Sequence, residues 1–289
     1  MKRLLITGGN GYIGSSLKKW LKHYSNDYIV ETISLRDESW KNANFSNYDV
    51  ILHLAGIAHV SSDSKQKELY YKVNRDLTIE AAEKAKKDGV KQFIFMSSII
   101  VYGDNSLNNG VITSSTIPYP KDFYGDSKLQ AEQGIASLDS EGFKVAIVRP
   151  PMVYGENSKG NYPRLASLAK KTPIFPKVEN KRSAIYIDNL CEFIRLTIED
   201  QASGVFFPQN KEYISTSELV RLIAEVNGKN VMLTKIFNPF INLLSKKVNI
   251  FYKLFGDLVY SKSMSEYKVN YRIKTLKESI IKSENNTNE

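Results

Sequence analysis

Along the first half of the chain, short apolar runs alternate with stretches whose apolar residues recur at helical spacing. Lys2–Thr7 is an apolar run ending in glycines, which predicts a strand. Tyr12–Tyr24 carries Ile13, Leu17, Trp20 and Leu21 at three- and four-residue steps, which predicts a helix. Tyr28–Leu35 and Asp49–Ala55 read as strands, the second buried. Leu69–Lys87 reads as a helix with Ala81, Ala82 and Ala85 on its packing side. Gln92–Met96 is a strand, Asp122–Leu138 a helix, and Lys144–Val148 a strand stopped by Pro150-Pro151. Strands alternating with helices in this way predict an α/β fold, a doubly wound parallel sheet with helices on both faces.

After Pro151 the rhythm changes. Proline and glycine cluster over 155–176 and the helical stretches shorten. The pattern predicts a doubly wound domain over 1–151 and a smaller C-terminal α/β lobe over 152–282, interleaved with the first. Ser283–Glu289 is polar and is expected to fray.

Composition narrows the class. The 289 residues are 42% hydrophobic and 25% charged, which suits a globular chain with a sizeable core. One cysteine, Cys191, excludes an internal disulfide and a cysteine-built zinc cluster, and no metal site is expected. Cysteine usage fits a reducing, cytoplasmic setting. No uncharged apolar stretch reaches the roughly 18 residues of a membrane span. The apolar run after Met1 breaks at Gly8-Gly9, too early for a signal peptide. The net charge of +9 leaves three partners open: nucleic acid, an anionic membrane or a phosphorylated small molecule. Without a concentrated basic helix or an RNA-recognition signature, nucleic acid is the poorest fit.

The first turn reads Thr7-Gly8-Gly9-Asn10-Gly11-Tyr12-Ile13-Gly14, between a predicted strand and a predicted helix. Glycines there allow a tight turn and let the backbone approach a pyrophosphate, which the helix N-terminus then attracts. This is the Rossmann context. An acidic residue about 20 positions on would hold the adenosine ribose. Here the second strand ends Ser34-Leu35-Arg36-Asp37. Asp37 suits that role, while Arg36 suits a 2′-phosphate; the lean is to NADP(H) over NAD.

Tyr124-Gly125-Asp126-Ser127-Lys128 puts a phenol and an ammonium four apart, on one helix face. An adjacent ammonium favours phenolate, so Tyr124 is expected to have a lowered pKa and to act as acid and base on a carbinol. The strand before it ends in Ser97-Ser98, where a hydroxyl points into the crevice that binds ligands in α/β proteins. Equally, Ser98 suits a cap for the segment that follows.

In this order and spacing the pieces resemble the extended short-chain dehydrogenase/reductases, specifically the UDP-glucose 4-epimerase-like family of nucleotide-sugar enzymes. The resemblance spans most of the chain. Besides the glycine turn it rests on His53-Leu54-Ala55-Gly56, on Asn74, on Ser97-Ser98-Ile99-Ile100-Val101-Tyr102-Gly103, on the Tyr124–Lys128 segment and on Arg149-Pro150-Pro151-Met152-Val153-Tyr154-Gly155. It is closest to enzymes of bacterial capsule and O-antigen clusters. The resemblance implies Tyr124 as acid/base, Lys128 on the nicotinamide ribose and Ser98 on a sugar hydroxyl. It implies Gly8, Asn10, Gly11, Tyr12, Ile13, Gly14, Arg36, Leu54, Ala55, Gly56, Asn74 and Pro151 around the dinucleotide. Arg182 would meet the substrate diphosphate, Asn161 the substrate, and His59 the sugar. A homodimer through the helices beginning near Leu69 and Tyr124 is implied too. The chain departs from galactose epimerases at Met152-Val153, where they carry Asn-Pro. The stretch from Leu35 to Asp49 is also short, so a strand beside the adenine is trimmed.

The expected activity is hydride transfer at C4 of a UDP-sugar by an NAD(P)-dependent 4-epimerase of a UDP-hexose. The same residues serve an NADPH-dependent 4-ketoreductase of a UDP-4-keto-6-deoxyhexose. A 4,6-dehydratase wants an acidic pair after the serine, where this chain has Ile99-Ile100. From another class, a dinucleotide-sensing regulator would not need the Tyr–Lys pair. The stretch Phe240–Phe255 mixes Leu243, Leu244, Val248, Phe251, Leu254 and Phe255 with Lys246, Lys247 and Lys253. It is expected to be a lid over the substrate, with peripheral contact to an anionic membrane as the alternative.

Overall fold

The structure is a computed structural model that describes residues 1–57, 64–103, 110–245 and 254–285. In chain order its strands are β1 (Lys2–Thr7), β2 (Tyr28–Ile33), β3 (Val50–His53), β4 (Gln92–Met96), β5 (Val111–Ile112) and β6 (Lys144–Val148). They continue with β7 (Met152–Tyr154), β8 (Ile174–Pro176), β9 (Ala184–Tyr186), β10 (Gly204–Phe206), β11 (Met232–Thr234) and β12 (Val259–Tyr260). The helices are α1 (Tyr12–Leu21), α2 (Lys67–Tyr70), α3 (Leu77–Lys87), α4 (Phe123–Ala136), α5 (Asn161–Lys171), α6 (Ile187–Glu199), α7 (Thr216–Val226) and α8 (Asn238–Ser245), with a C-terminal helix over Leu276–Asn285.

Among the described residues, six parallel strands form the main sheet in the order β10-β6-β4-β3-β1-β2. Strand residues point alternately to opposite faces, and both faces are covered here. Leu4, Ile6, Ile94, Met96, Ala146 and Val148 pack into one core, while Leu5, Phe93, Phe95, Val145 and Ile147 pack into another. That two-sided burial is why these strands read as continuous apolar runs. The short Leu35–Asp49 stretch holds a 3₁₀ turn over Glu38–Asn42 and no strand, so β2 forms the sheet edge. β10 comes from the C-terminal half and closes the other edge beside β6. Three short parallel pairs, β5–β12, β7–β9 and β8–β11, build the smaller lobe.

The structure departs from two sequence expectations. The helix expected over 69–87 is interrupted by a π-helical stretch, Tyr71–Asp76. The wider turn sets Asn74 fully inside, bonded to both backbone polar groups of Ile57 and to the Ser127 hydroxyl. The second concerns the polar end of the chain. Ser283 and Glu284 do not fray: they lie in the C-terminal helix at 1% and 2% exposure. The Glu284 carboxylate accepts hydrogen bonds from Tyr162 at 2.8 Å and Asn227 at 3.1 Å, and pairs with Lys170 at 2.8 Å. A polar tail reads as solvated unless distant partners bury it, and these come from α5 and the end of α7.

Candidate active site

The glycine turn follows β1 and leads into α1. Gly8 has φ +69°, and a Cβ there would stand 2.8 Å from the Ala55 nitrogen, so only glycine lets the turn close on the end of β3. A Cβ at Gly14 would meet the Gly9 backbone at 2.7 Å, which holds α1 tight against the turn. Gly11 caps α1 without a side-chain hydrogen bond, and Asn10 and Gly11 are exposed. The first amides of α1, from Tyr12 onward, are therefore left for an anion.

Beyond β3, Leu54 and Ala55 are half-buried and Gly56 is exposed. A Cβ at Gly56 would meet Asn74 Oδ1 at 2.9 Å and Lys128 Nζ at 3.2 Å, so these three residues converge. Beneath them His53 is fully buried. Its Nε2 lies 3.0 Å from the Thr78 hydroxyl, which itself donates to the Asn74 carbonyl, so Nε2 carries the proton. Nδ1, 3.1 Å from the Thr7 hydroxyl, then accepts. Burial, with Lys128 nearby, pushes the imidazole down to about 3, so it stays neutral.

Helix α4 starts at Asp122, whose carboxylate accepts from the Gly125 amide at 2.8 Å. It buries Tyr124, Lys128 and Glu132 along one face. Lys128 Nζ donates to the Met96 carbonyl at 3.0 Å and lies 4.6 Å from the centre of the Phe95 ring. Burial lowers its pKa to about 8, against which Glu132 works. Tyr124 departs from expectation. Its phenol is pushed up to about 12 because burial outweighs its contact with Ser98, which favours phenolate. The ammonium of Lys128 is held by the Met96 carbonyl and does not lower the phenol in this structure. Ser98 is half-buried, and its hydroxyl also accepts from the Ile100 amide at 3.3 Å. Facing the phenol and capping the next turn are thus both true of this serine.

Under the site lies a network that motif reading missed. Arg149 and Glu132 form a bidentate ion pair at 8% and 3% exposure. Ser97 donates to the same carboxylate, and Arg149 Nη1 donates to the Tyr102 hydroxyl at 2.7 Å. One signal was available: Glu132 follows Lys128 by four residues, on the same helix face.

The remaining candidates are more scattered. Pro151 is buried between β6 and β7. Asn161 opens α5 and is half-buried, while Arg182 Nη1 donates to the Gly256 carbonyl at 3.0 Å. Both belong to the C-terminal lobe. Arg36 is exposed. Asp37 spends its carboxylate on the Ser39 amide at 3.0 Å and on the Ser39 hydroxyl, capping the 3₁₀ turn, and these bonds lower its pKa. His59 lies outside the described residues, as do Lys246–Lys253 of the expected lid.

The cradle of Gly8 on Ala55, the uncapped start of α1 and the meeting of Gly56, Asn74 and Lys128 fit a nicotinamide dinucleotide. The profile of the NAD dependent epimerase/dehydratase family matches residues 4–207. The UDP-glucose 4-epimerase of Vibrio cholerae is 34% identical over 248 residues, covering 77% of this chain and 75% of that one. The N-acetyl-alpha-D-glucosaminyl-diphospho-ditrans,octacis-undecaprenol 4-epimerase of Escherichia coli O157:H7 is 28% identical over 248 residues, covering 79% and 73%. RMD from Pseudomonas aeruginosa, solved with NADPH, superposes with a TM-score of 0.79 at 18% identity over 100% of both chains.

Proposed function

Because this chain belongs to the NAD dependent epimerase/dehydratase family, as an NAD(P)-dependent nucleotide-sugar epimerase or reductase, we propose that it moves a hydride at C4 of a UDP-hexose and works as a 4-epimerase. The observation that carries this is the convergence of Ser98 on Tyr124 and of Lys128 on Gly56 and Asn74, at the ends of β3 and β4 beside the glycine turn.

The dinucleotide supplies the hydride acceptor and donor. The amides at the start of α1, from Tyr12 to Gly14, would hold its pyrophosphate, Leu54, Ala55, Gly56, Asn74 and Pro151 would line it, and Lys128 would hold the nicotinamide ribose. Ser98 hydrogen-bonds the O4 hydroxyl of the sugar. Tyr124, as phenolate, takes the O4 proton while C4 gives up a hydride, leaving a 4-keto sugar. The 4-keto sugar would then turn over in the site, and the phenol would return the proton to O4 as C4 regains hydride on its other face. Moving Tyr124 from about 12 toward neutrality requires positive charge beside the phenol, which Lys128, four residues on along the same buried face of α4, would supply. In the C-terminal lobe Arg182 is assigned to the diphosphate and Asn161 to the sugar. The E. coli O157:H7 relative takes its sugar on undecaprenyl diphosphate. A sugar diphosphate is common to both carriers, so both belong in the assay. A homodimer would pack through the helices beginning near Leu69 and Tyr124, where Leu69 stands exposed.

A second reading, the 4-ketoreductase, is favoured by one observation. Asp37 is committed to its cap while Arg36 stands exposed at the end of β2, which suits the 2′-phosphate of NADP(H). The test is mass spectrometry of the cofactor retained on purification, then turnover. Retained NAD with interconversion of UDP-glucose or UDP-GlcNAc supports the epimerase. NADPH oxidised only with a UDP-4-keto-6-deoxy sugar replaces it with the reductase. Tyr124→Phe should lower turnover about 10²–10⁴-fold with substrate binding kept; undiminished turnover would remove Tyr124 from the chemistry.

A further inference from the structure

Among the described residues, the outer face of the C-terminal lobe carries large apolar side chains that stand exposed. In the β8–β11 pair, Ile174 is the register partner of Met232, and Phe175 of Leu233. Phe175 turns inward at 7% exposure, whereas Ile174 and Met232 stand out at 41% and 60%. The chain then runs through Ile236, Phe237 and Phe240, exposed to 76%, 43% and 69%, while Ile241 alone turns inward at 5%. The stretch expected as a lid begins at Phe240, which stands in solvent, while Leu254 and Phe255 at its far end pack against the core.

Lysines frame this face. Lys170 and Lys171 end α5, Lys177 follows β8, and Lys229 and Lys235 flank β11. Backbone and side-chain bonds hold these segments together: the Lys177 amide donates to the Thr234 carbonyl at 2.8 Å, and Asn238 donates to the Lys177 carbonyl at 2.9 Å. Among the described residues, Glu284 pairs with Lys170 at 2.8 Å, Glu179 lies 3.8 Å from Lys235 and Lys229 Nζ donates to the Lys170 carbonyl, while Lys171 and Lys177 are exposed. The face is therefore apolar at its centre and cationic at its rim.

We propose that this face docks on an anionic lipid bilayer. Aromatic and aliphatic side chains at the headgroup level bury apolar area, and lysines beside them gain from anionic lipid. No described helix is long and apolar enough to cross a membrane, so the contact is peripheral. A second copy is the poorer occupant, because the same lysine rims would oppose each other. The proposal is independent of the C4 chemistry, and its test needs no turnover.

The test is co-sedimentation of the full chain with vesicles of phosphatidylcholine, with and without phosphatidylglycerol. Binding is expected only with phosphatidylglycerol, and it should fall severalfold as salt rises. Phe237→Ser with Phe240→Ser should lower the partition coefficient about tenfold or more, with the unfolding midpoint measured beside it. Lys171→Glu with Lys177→Glu, a pair outside any core, should weaken it in the same direction. Wild-type protein left in the supernatant at low salt overturns the proposal, as do variants that pellet like wild type. Light scattering that shows a dimer lost on Phe237→Ser with Phe240→Ser overturns it in favour of a second copy.

Discussion

The main sheet and the C-terminal lobe are held together by different means. In the sheet, β1, β3, β4 and β6 are joined by unbroken parallel ladders four or five residues long. Thr7 and His53 inside it sit at 0% exposure and bond to each other, and His53 bonds on to Thr78 of α3. In the lobe the ladders span two or three residues. Side chains far apart in sequence do the joining: Tyr154 meets Ser279 at 2.6 Å and accepts from Asn210 at 2.8 Å, and Asn180 donates to Thr216 at 3.1 Å. Backbone ladders are satisfied by neighbours whatever the side chains, so the sheet tolerates a site built at the carboxyl ends of its central strands. The lobe depends on particular polar pairs and leaves an apolar face outside.

This contrast can be broken by substitution. The largest effect is expected at the floor of the site. Glu132→Ala leaves Arg149 buried and unpaired and should cost about 3–5 kcal/mol in denaturant unfolding. A loss under about 1 kcal/mol would mean that the ladders alone carry the floor. In the lobe, Glu284→Ala removes the shared partner of Tyr162, Asn227 and Lys170 and should cost about 2 kcal/mol. If it is silent, the end of the chain is not part of the lobe.

His53 sharpens the comparison through pH. The unfolded chain protonates this imidazole below about 6.5, but the folded chain holds it neutral down to about 3. The folded state therefore binds fewer protons in that window, and stability falls as pH drops, by up to ~1.4 kcal/mol per pH unit. His53→Gln should flatten the fall in unfolding midpoint between pH 6.5 and about 4.5; equal slopes would place the acid sensitivity elsewhere. The smallest expected change is at the start of α4. Asp122→Ala removes the cap and should cost about 1 kcal/mol, measured by the same unfolding curves.

Much of the site was legible because its parts are local. The glycine turn needs only neighbours in sequence, and Tyr124 and Lys128 need only a helix. Glu132 with Arg149 was not legible: the partners are 17 residues apart on different elements, and each alone looks like a solvated charge. The raised pKa of Tyr124 was not legible for a related reason. The four-residue spacing supplies the ammonium, but burial and the Met96 carbonyl decide what that ammonium does.

The sequence by itself determined the α/β alternation, the parallel sheet, the dinucleotide turn and the Tyr124–Lys128 pair. Each follows from steric and hydrogen-bonding rules acting within a few turns of chain. Only the tertiary structure decided that Asn74 enters the site through a π-helical turn, and that Glu284 is buried. It also decided that Asp37 is a cap and that Phe240 faces solvent. Those outcomes depend on which groups distant segments bring, and burial turns the same residue from a solvated charge into a fixed partner.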